Sequence, residues 1–434
     1  MEILTITGIL GLSLLILLAG GLWIGVTLTA VGYLAIGAFS PAPAGSLMAT
    51  TLWDNSWNWA LTALPLFVWM GEILFRSRLS EDMFSGLAPW LDRLPGRLLH
   101  VNIVGCGVMA AVAGSSAVTC ATVGRMSLPE LQRRGYSESM AIGTLAGSGT
   151  LGLLIPPSIM MIVYGISAQQ SISRLFIAGI IPGILIMALF MGYVMIWSAF
   201  NKEAVPPADV ALPFREKLRR SRRLFPIVIL IAVVIGSIYG GYATPTEAAT
   251  LGVFGALGLA WVTGALSWQS FIDSLMAATR TSCMITAIIL GAAFLSVGMA
   301  FLGIPAMLAA WVSGLGLSPA LLLILLTLIY IVLGCFLEGA SMIVLTTSVA
   351  LPMVVGAGFD PIWFGIYLII VVEMAQLTPP VGFNLFVLHG MSGRDMWTVT
   401  KASAPFFGIL ALGVALLALV PGLATFLPNL MLSR

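Results

Sequence analysis

Four clusters of small and polar residues interrupt otherwise apolar stretches of the chain, at 113–117, 147–158, 338–341 and 376–384. Gly permits a close turn, and a Pro-Pro pair, present in two of the clusters, removes two backbone donors and frees the carbonyls one turn earlier. Such carbonyls form an all-oxygen shell together with Ser and Thr hydroxyls. That shell suits a hard monovalent cation such as Na⁺ better than zinc or copper, which prefer imidazole or thiolate.

The same clusters offer groups that could bind a solute. Helix N-termini after the breaks would point their positive ends at the site and could hold the carboxylate of an anionic organic substrate. Glu338 places a carboxylate within a predicted membrane segment, where a charge is energetically costly. It therefore needs a partner or must be protonated. The candidates for the substrate site are Thr150, Pro156, Pro157, Ser158, Glu338 and Asn384.

Each cluster also has a purely structural alternative. The small residues at 113–117 suit tight helix packing, Glu338 could cap the following helix, and the Pro-Pro pairs could be simple kinks. His100 is predicted near the inner interface and His389 at the end of the helix of the fourth cluster, so neither is expected to form a proton relay. Glu373 could brace the last break instead of binding substrate.

The elements that must position these clusters lie in lipid. Of the 434 residues, 59% are hydrophobic and 8% are charged, whereas a soluble domain has about 25% charged residues. The net charge of +2, without a basic run interleaved with aromatic residues, gives no indication of nucleic-acid binding. The composition predicts an all-α polytopic membrane protein. Apolar stretches of spanning length occur at 4–39, 57–75, 175–200, 224–241, 247–266, 271–302 and 402–427.

The sequence repeats at an offset of 223 residues. The matches are Leu128-Pro129 with Leu351-Pro352, Gly135-Tyr136 with Gly358-Phe359, Pro156-Pro157 with Pro379-Pro380, and Pro182 with Pro405. With 23 Pro and 47 Gly in the chain, one or two matches would be unremarkable. Four matches without a gap predict an internal repeat.

The basic residues predict that the repeats have opposite orientations. The segment 125–136 carries three Arg, whereas its counterpart 348–359 has no Lys or Arg. If 98–134 and 321–356 are re-entrant hairpins and the N-terminus is outside, the segments 76–98, 125–136, 201–223 and 390–401 fall inside, with 16 of the 19 basic residues. The positive-inside rule expects this excess of Lys and Arg on the cytoplasmic side. The excess disappears if the two hairpins cross the membrane completely.

The predicted architecture is therefore two inverted repeats, at 1–200 and 224–434, joined by a cytoplasmic basic linker at 201–223. Each repeat contains one re-entrant helical hairpin and one broken helix, the latter predicted at about 137–168 and about 361–390. Inverted repeats with broken helices indicate a secondary transporter whose substrate and ion sites lie near the membrane midplane.

The clusters and their flanks resemble a known family. The motifs are Gly114-Ser115-Ser116-Ala117, Thr150-Leu151-Gly152, Ile155-Pro156-Pro157-Ser158-Ile159, Tyr242-Ala243-Thr244-Pro245-Thr246-Glu247-Ala248-Ala249, Phe336-Leu337-Glu338-Gly339 and Leu377-Thr378-Pro379-Pro380-Val381-Gly382-Phe383-Asn384-Leu385. In this order, and over nearly the whole chain, they resemble the large membrane subunit (DctM/SiaM-like) of tripartite ATP-independent periplasmic (TRAP) transporters.

The resemblance implies an elevator mechanism, in which a transport domain holding both hairpins slides against a scaffold, driven by symport of Na⁺. It implies two partners in the bacterial inner membrane system: a small four-helix TRAP membrane subunit and a periplasmic substrate-binding protein that delivers a small organic acid or similar solute. Arg125 departs from the small or apolar residue usual there. The implied Na⁺-binding positions, many of them acting through backbone carbonyls, are Gly114, Ser115, Ser116, Gly339, Ser341, Thr378, Pro379 and Pro380.

Three other functions compete with this one. A stand-alone Na⁺-coupled carboxylate transporter of related elevator fold would need no binding protein. A channel fits the paired broken helices less well. An intramembrane enzyme is disfavoured because the chain has no HExxH and no GxSxG motif, and a hydrolase needs a nucleophile with a nearby base.

Overall fold

A computed structural model describes residues 3–77, 79–207, 212–222, 224–335, 337–379 and 382–432. In these residues the regular structure is helical, with short 3-10 helices at Trp59–Thr62 and Lys202–Ala204. The α-helices as far as residue 200 are α1 (Ile3–Ala19), α2 (Ile24–Phe39), α3 (Ala44–Ser56), α4 (Ala63–Phe75), α5 (Leu79–Leu91), α6 (Leu99–Ala113), α7 (Ser116–Arg133), α8 (Glu138–Leu154), α9 (Ile159–Ser167) and α10 (Ile172–Phe200).

The remaining helices begin within the predicted linker. They are α11 (Phe214–Ser221), α12 (Phe225–Tyr239), α13 (Pro245–Val262), α14 (Trp268–Phe301), α15 (Ile304–Gly314), α16 (Pro319–Gly334), α17 (Gly339–Gly356), α18 (Pro361–Ala375), α19 (Phe383–Ser392), α20 (Met396–Leu419) and α21 (Gly422–Leu432). Among the described residues, α10, α14, α17 and α20 are each long and apolar enough to cross a membrane.

Most predicted apolar stretches are helices, but two of them are divided. The stretch 4–39 forms α1 and α2, because the chain turns at Gly21, which has a φ of +76°. The stretch 402–427 holds the end of α20 and the start of α21, with Val420 between them. The segment predicted as a linker contains α11, which packs against α5.

Two pairs of adjacent helices occupy the segments in which the sequence predicts re-entrant hairpins, and their re-entrant course stays a prediction. Helices α6 and α7 pack together across a turn at Gly114 and Ser115, and α16 packs against α17. Helices α7 and α17 are both 18 residues long, and their first residues, Ser116 and Gly339, are 223 positions apart. The spacing of the helices thus equals the spacing of the matched sequence motifs.

The helix that follows each hairpin is interrupted at its Pro-Pro pair. Helix α8 ends at Leu154 and α9 begins at Ile159, with an angle of 44° between the two axes. Helix α18 ends at Ala375 and α19 begins at Phe383. The Pro rings cannot donate backbone hydrogen bonds, and α8 ends before Pro156 while α18 ends before Pro379.

The helices form two packed groups. Helices α2, α4, α13 and α14 pack on one another, while α6 to α10, α17 to α20 and their connections form the second group. Small residues allow close packing of α2 on α14, since a Cβ built on Gly25 would lie 2.7 Å from the carbonyl oxygen of Ala287. The groups meet where α4 contacts α6 and α9, and where α14 contacts α17.

Candidate functional site

The turns of both hairpins open into one cavity of about 260 Å³, at the boundary between the two helix groups. Its wall comprises residues 113–118 from the first hairpin, Glu338 from the second, and Gln376 at the end of α18. Helices α4, α9 and α14 close the other sides. Segments more than 200 residues apart in the sequence therefore share one cavity, whose wall is largely apolar with a few polar side chains.

The first hairpin turn depends on Gly114. This residue adopts a left-handed conformation with φ of +58°, which is costly for residues that carry a Cβ. A Cβ there would also lie 3.3 Å from the carbonyl oxygen of Pro157. The turn thus packs directly on the break after α8. Ser115 follows in extended conformation as the N-cap of α7, and its side chain makes no capping hydrogen bond.

Ser116 links the first hairpin to the second broken helix. Its hydroxyl donates a hydrogen bond of 2.7 Å to Oδ1 of Asn384, which lies in α19. Both side chains are buried. The Nδ2 group of Asn384 has no hydrogen-bond partner among the described residues, and Asn384, predicted for the substrate site, is not among the described residues that line the cavity.

The second hairpin turn is organised by the Glu338 carboxylate. It accepts hydrogen bonds from the backbone N–H groups of Ala340 (3.1 Å) and Ser341 (3.3 Å) and from the Ser341 hydroxyl (3.3 Å). Glu338 therefore caps α17, as the structural alternative predicts. The same residue also lines the cavity. Next to it, Gly339 lies close to Gln376, since a Cβ on Gly339 would be 3.1 Å from Nε2.

The break after α18 presents backbone oxygens at its start. A Cβ on Gly382 would lie 2.8 Å from the carbonyl oxygen of Thr378 and 3.1 Å from that of Gln376. The Thr378 hydroxyl donates to the Ala375 carbonyl at 2.6 Å, and Cys335 Sγ lies 3.1 Å from the Pro379 carbonyl oxygen. Pro380, which the resemblance also implies for Na⁺, is outside the described residues.

The chain has relatives among known proteins. Residues 12–423 match the family model of the tripartite ATP-independent periplasmic transporter, DctM component. The chain belongs to this family. The sequence resemblance is therefore confirmed: the chain is a TRAP large permease subunit, a multi-pass membrane protein and not an enzyme.

Several permeases of the family are similar over most of their length. The chain is 31% identical to the C4-dicarboxylate permease DctM of Pseudomonas aeruginosa, covering 92% of each protein. It is 30% identical to the ectoine permease TeaC of Halomonas elongata, covering 86% of each. A crystal structure of the YdaH transporter of Alcanivorax borkumensis shares the fold, with a TM-score of 0.67 at 16% identity over 92% of this chain and 97% of that one.

The other predicted substrate-site residues of this TRAP permease lie around the first break. Thr150 is buried within α8, and its hydroxyl donates to the Gly147 carbonyl at 2.6 Å. Ser158 caps α9 and Pro157 backs Gly114. Pro156 borders a separate apolar cavity of about 580 Å³. None of these four is among the described residues that line the cavity at the hairpin turns.

Three polar residues of the cavity, Glu72, Thr281 and Gln376, were not predicted as site residues of this TRAP permease. Glu72 in α4 lines the cavity and pairs with Arg76 at 3.4 Å, and Thr281 lines it from α14. A carboxylate within an apolar helix is a functional candidate by default, so a sequence signal for Glu72 existed. Thr281 has no such signal, because single Thr residues are ordinary in membrane helices.

Proposed function

We propose that this TRAP permease is a Na⁺-coupled symporter that imports a small organic acid or a similar solute, delivered by a periplasmic binding protein. The observation that carries the proposal is the single cavity at which both hairpin turns and the end of α18 meet. Interrupted helices are stable in a membrane only where protein or a water-filled cavity covers their backbone. A cavity so lined is suited to bind polar cargo.

Two groups of oxygens support the assignment of Na⁺. The first surrounds Ser115 and Ser116, where the Ser115 hydroxyl is not used as a cap. The second lies at 376–379, where backbone carbonyls converge near the turn that holds Gly339 and Ser341. Both groups consist mainly of oxygen atoms, which favours a hard cation, and the Cys335 thiol also contacts the Pro379 carbonyl of the second group. Pro380 stays in this proposal as a residue of the second group.

The charges around the cavity favour binding of an anion together with Na⁺. The Glu338 carboxylate is compensated by two backbone N–H groups, and Glu72 is compensated by Arg76. The N-terminus of α7 brings the positive end of a helix dipole to the same wall. Because an isolated charge in a membrane is costly, a carboxylate and Na⁺ bound side by side are transferred more easily than either alone.

The helix arrangement supports an elevator made of inverted repeats. In the proposed motion, the hairpins and broken helices slide as one body against the group of α2, α4, α13 and α14. The cavity lies at the boundary of these groups, where such a motion would carry cargo past a fixed wall. The offset of 223 between α7 and α17 supports the repeat.

The substrate class follows from the family only in outline. Relatives are named for C4-dicarboxylate, sialic acid and ectoine, so the proposal remains a small organic acid or a similar solute. We further propose a small four-helix membrane subunit as partner and the bacterial inner membrane as location, because a tripartite system requires both a second membrane subunit and a periplasmic component.

Uptake into proteoliposomes tests the proposal. The permease is reconstituted with its small subunit, and uptake of a C4-dicarboxylate, sialic acid or ectoine is measured with and without binding protein and a Na⁺ gradient. Ser115→Ala and Thr378→Ala should raise the Na⁺ concentration needed for half-maximal uptake by about tenfold, as expected for loss of one ligand oxygen worth about 1.4 kcal/mol.

Matched variants distinguish a site effect from a folding effect. Ser171, like Ser115, is the N-cap of a helix, and Thr263, like Thr378, donates to a carbonyl in the preceding turn. Ser171→Ala and Thr263→Ala should leave the Na⁺ dependence unchanged. Unchanged Na⁺ dependence in both site variants would remove the Na⁺ assignment. Uptake that needs Na⁺ but no binding protein would instead favour the stand-alone carboxylate transporter.

A further inference from the structure

A second and larger cavity lies apart from the transport cavity, between α5, α11 and the C-terminal half of α7. Its volume is about 910 Å³. Its wall also includes the segment 92–98, which connects α5 to α6. All of these segments belong to the regions that the basic residues predict to be cytoplasmic. The transport mechanism proposed above uses none of them.

The wall of this cavity carries an excess of positive charge. Its lining includes five basic side chains and two acidic ones, Asp92 and Glu130. Glu130 is already paired with Arg133 at 2.8 Å and with Arg134 at 2.7 Å. The five basic residues of the lining are Arg93, Arg97, Arg134, Lys217 and Arg220.

Two of these cations are not neutralised by the chain. Within the described residues, neither Arg93 nor Arg97 has a carboxylate within ion-pairing distance. Arg97 also has a left-handed backbone, with φ of +49°, which costs a residue with a Cβ about 1–2 kcal/mol. Such strain persists only where the surrounding structure holds it, and it is concentrated at binding sites.

Lys217 is held in place by contacts with α5, and it does not behave as a freely solvated surface charge. Its side chain is 8% exposed, its ammonium donates to the Pro89 carbonyl at 2.6 Å, and it lies 5.8 Å from the ring centre of Trp90. The Trp90 indole in turn donates to the Ser221 hydroxyl at 2.6 Å. These contacts hold α11 against α5, and the Lys217 ammonium still has two donors to offer.

The apolar part of the surroundings indicates what kind of anion binds. Phe84, Leu98 and Met126 line the cavity beside the cations. On α11, Phe214 and Leu218 are exposed, as expected for a short amphipathic helix at a membrane surface. An anion with an attached acyl chain matches this combination better than a free ion does.

We propose that this cavity binds the phosphate headgroup of an anionic phospholipid from the cytoplasmic leaflet. Arg93, Arg97 and Arg220 would contact the phosphate, and the acyl chains would leave along Phe84 and Met126. Arg and Lys recognise phosphate through charge-assisted hydrogen bonds, and basic pockets on the cytoplasmic side are suited to acidic lipids. The bound lipid would connect the first hairpin, through α7, to α5 and α11.

Thermal unfolding of the full-length, delipidated protein in detergent tests this site without any transport assay. Phosphatidylglycerol, phosphatidylcholine and inorganic phosphate are titrated separately. We expect a saturable rise in unfolding temperature with phosphatidylglycerol alone. In the double variant Arg93→Gln/Arg97→Gln, the phosphatidylglycerol concentration for half-maximal stabilisation should increase at least about tenfold. The reason is that each basic residue near an anionic lipid surface strengthens binding several-fold.

The control removes the same charge outside the cavity. Lys202 and Arg215 are exposed basic residues of the predicted linker, and neither is among the described residues of the lining. Lys202→Gln/Arg215→Gln should therefore keep the wild-type response. An equal loss in this control, or equal stabilisation by phosphatidylcholine, would overturn the site. Stabilisation by inorganic phosphate without any by phosphatidylglycerol would overturn the lipid and indicate a soluble phosphate compound.

Discussion

At the scale of single residues, Gly114 is needed for two reasons, its backbone conformation and its close packing, and variants can test the two separately. Its φ of +58° is unfavourable for Ala, and a Cβ would press against Ile159 and the Pro157 carbonyl. Gly135 has a φ of +79° with no atom within 4 Å of a built Cβ. Gly135→Ala should therefore show only the conformational cost, about 1–2 kcal/mol. Gly114→Ala should lower the unfolding temperature further and reduce Na⁺-dependent uptake.

Measurements of unfolding temperature in detergent and of uptake in proteoliposomes compare the two Gly variants directly. Equal effects on both readouts would show that the close approach between Gly114 and the first break is unimportant. A selective effect of Gly114→Ala would show that the break after α8 supports the hairpin turn, which is the contact that the structure gives.

The hydrogen bond between Ser116 and Asn384 predicts coupled variants. Because the bond is buried and 2.7 Å long, Ser116→Ala and Asn384→Ala should be non-additive, with a coupling of about 1 kcal/mol in Na⁺ affinity. Ser403 is equally buried but bonds only to carbonyls of its own helix. The cycle of Ser403→Ala with Asn384→Ala should be additive. Additivity in both cycles would contradict a shared role for the pair.

At this scale, the sequence predicts turn residues better than it predicts pairs of side chains that contact each other. Gly114 and Glu338 stand out because a Gly and a carboxylate in an apolar stretch each need a local reason. The pairing of Ser116 with Asn384 spans 268 positions. It depends on how α7 packs against α19, and no local pattern in either helix encodes that packing. The same holds for Gln376, which the sequence places near the break but not in the cavity wall.

At the scale of helices, several helix ends coincide with the Gly and Pro positions singled out in the sequence, because these residues act locally, and the re-entrant course of the hairpins stays a prediction. Helices α3, α5, α11 and α15 were not predicted as separate elements. In α3, polar residues such as Asp54 and Asn55 lower the hydropathy, and of the described residues of this helix Ala44 alone is buried. Helix α11 is held by the Lys217 and Ser221 contacts to α5, which are tertiary and invisible to periodicity.

The cap of α20 gives a prediction for the dependence of stability on pH. The hydroxyl and the backbone N–H of Thr398 donate to the Asp395 carboxylate at 2.6 and 3.0 Å, and they lower its pKa below the ordinary value. A lowered pKa in the folded state stabilises the fold above the unfolded pKa of about 3.9, and the contribution is lost as the pH falls through the folded value.

Asp395→Asn should therefore lower the unfolding temperature at pH 7, and the gap from wild type should narrow below about pH 4. Thermal unfolding in detergent from pH 3 to pH 7 measures this gap. Asp273, which accepts a hydrogen bond from the Gln269 side chain on α14, provides the control variant Asp273→Asn. A gap that stays constant across this pH range would show that the ionised carboxylate adds nothing to the cap.

At the scale of the whole molecule, segments predicted to be cytoplasmic lie side by side. The large basic cavity brings 92–98, the end of α7 and α11 together. The Arg394 guanidinium donates two hydrogen bonds of 2.7 Å to the Glu138 carboxylate, which joins the end of α19 to the start of α8. Grouping of the basic segments at one end agrees with a single cytoplasmic face, although it leaves the orientation of the second hairpin as a prediction.

The inverted orientation can be tested with two equivalent residues. Arg133 and Gly356 are the last residues of α7 and α17, 223 positions apart. Arg133 has a side chain 75% exposed, and a Cβ on Gly356 would meet no atom within 4 Å, so Cys is accommodated at both. Because the native Cys283 is exposed, the labelling experiment starts from the variant Cys283→Ser. A membrane-impermeant maleimide is applied to spheroplasts before and after permeabilisation.

Inverted repeats place the ends of α7 and α17 on opposite sides, because each hairpin enters and leaves on one face and the faces differ. Gly356→Cys should therefore react in intact spheroplasts, whereas Arg133→Cys should react only after permeabilisation. Lys202→Cys, in the basic segment that follows α10, should behave like Arg133→Cys, since the positive-inside rule places both in the cytoplasm. If Arg133→Cys and Gly356→Cys react from the same side, the repeats are parallel. The two hairpin turns would then not face each other at the midplane, and the shared Na⁺ and substrate centre would have no structural basis.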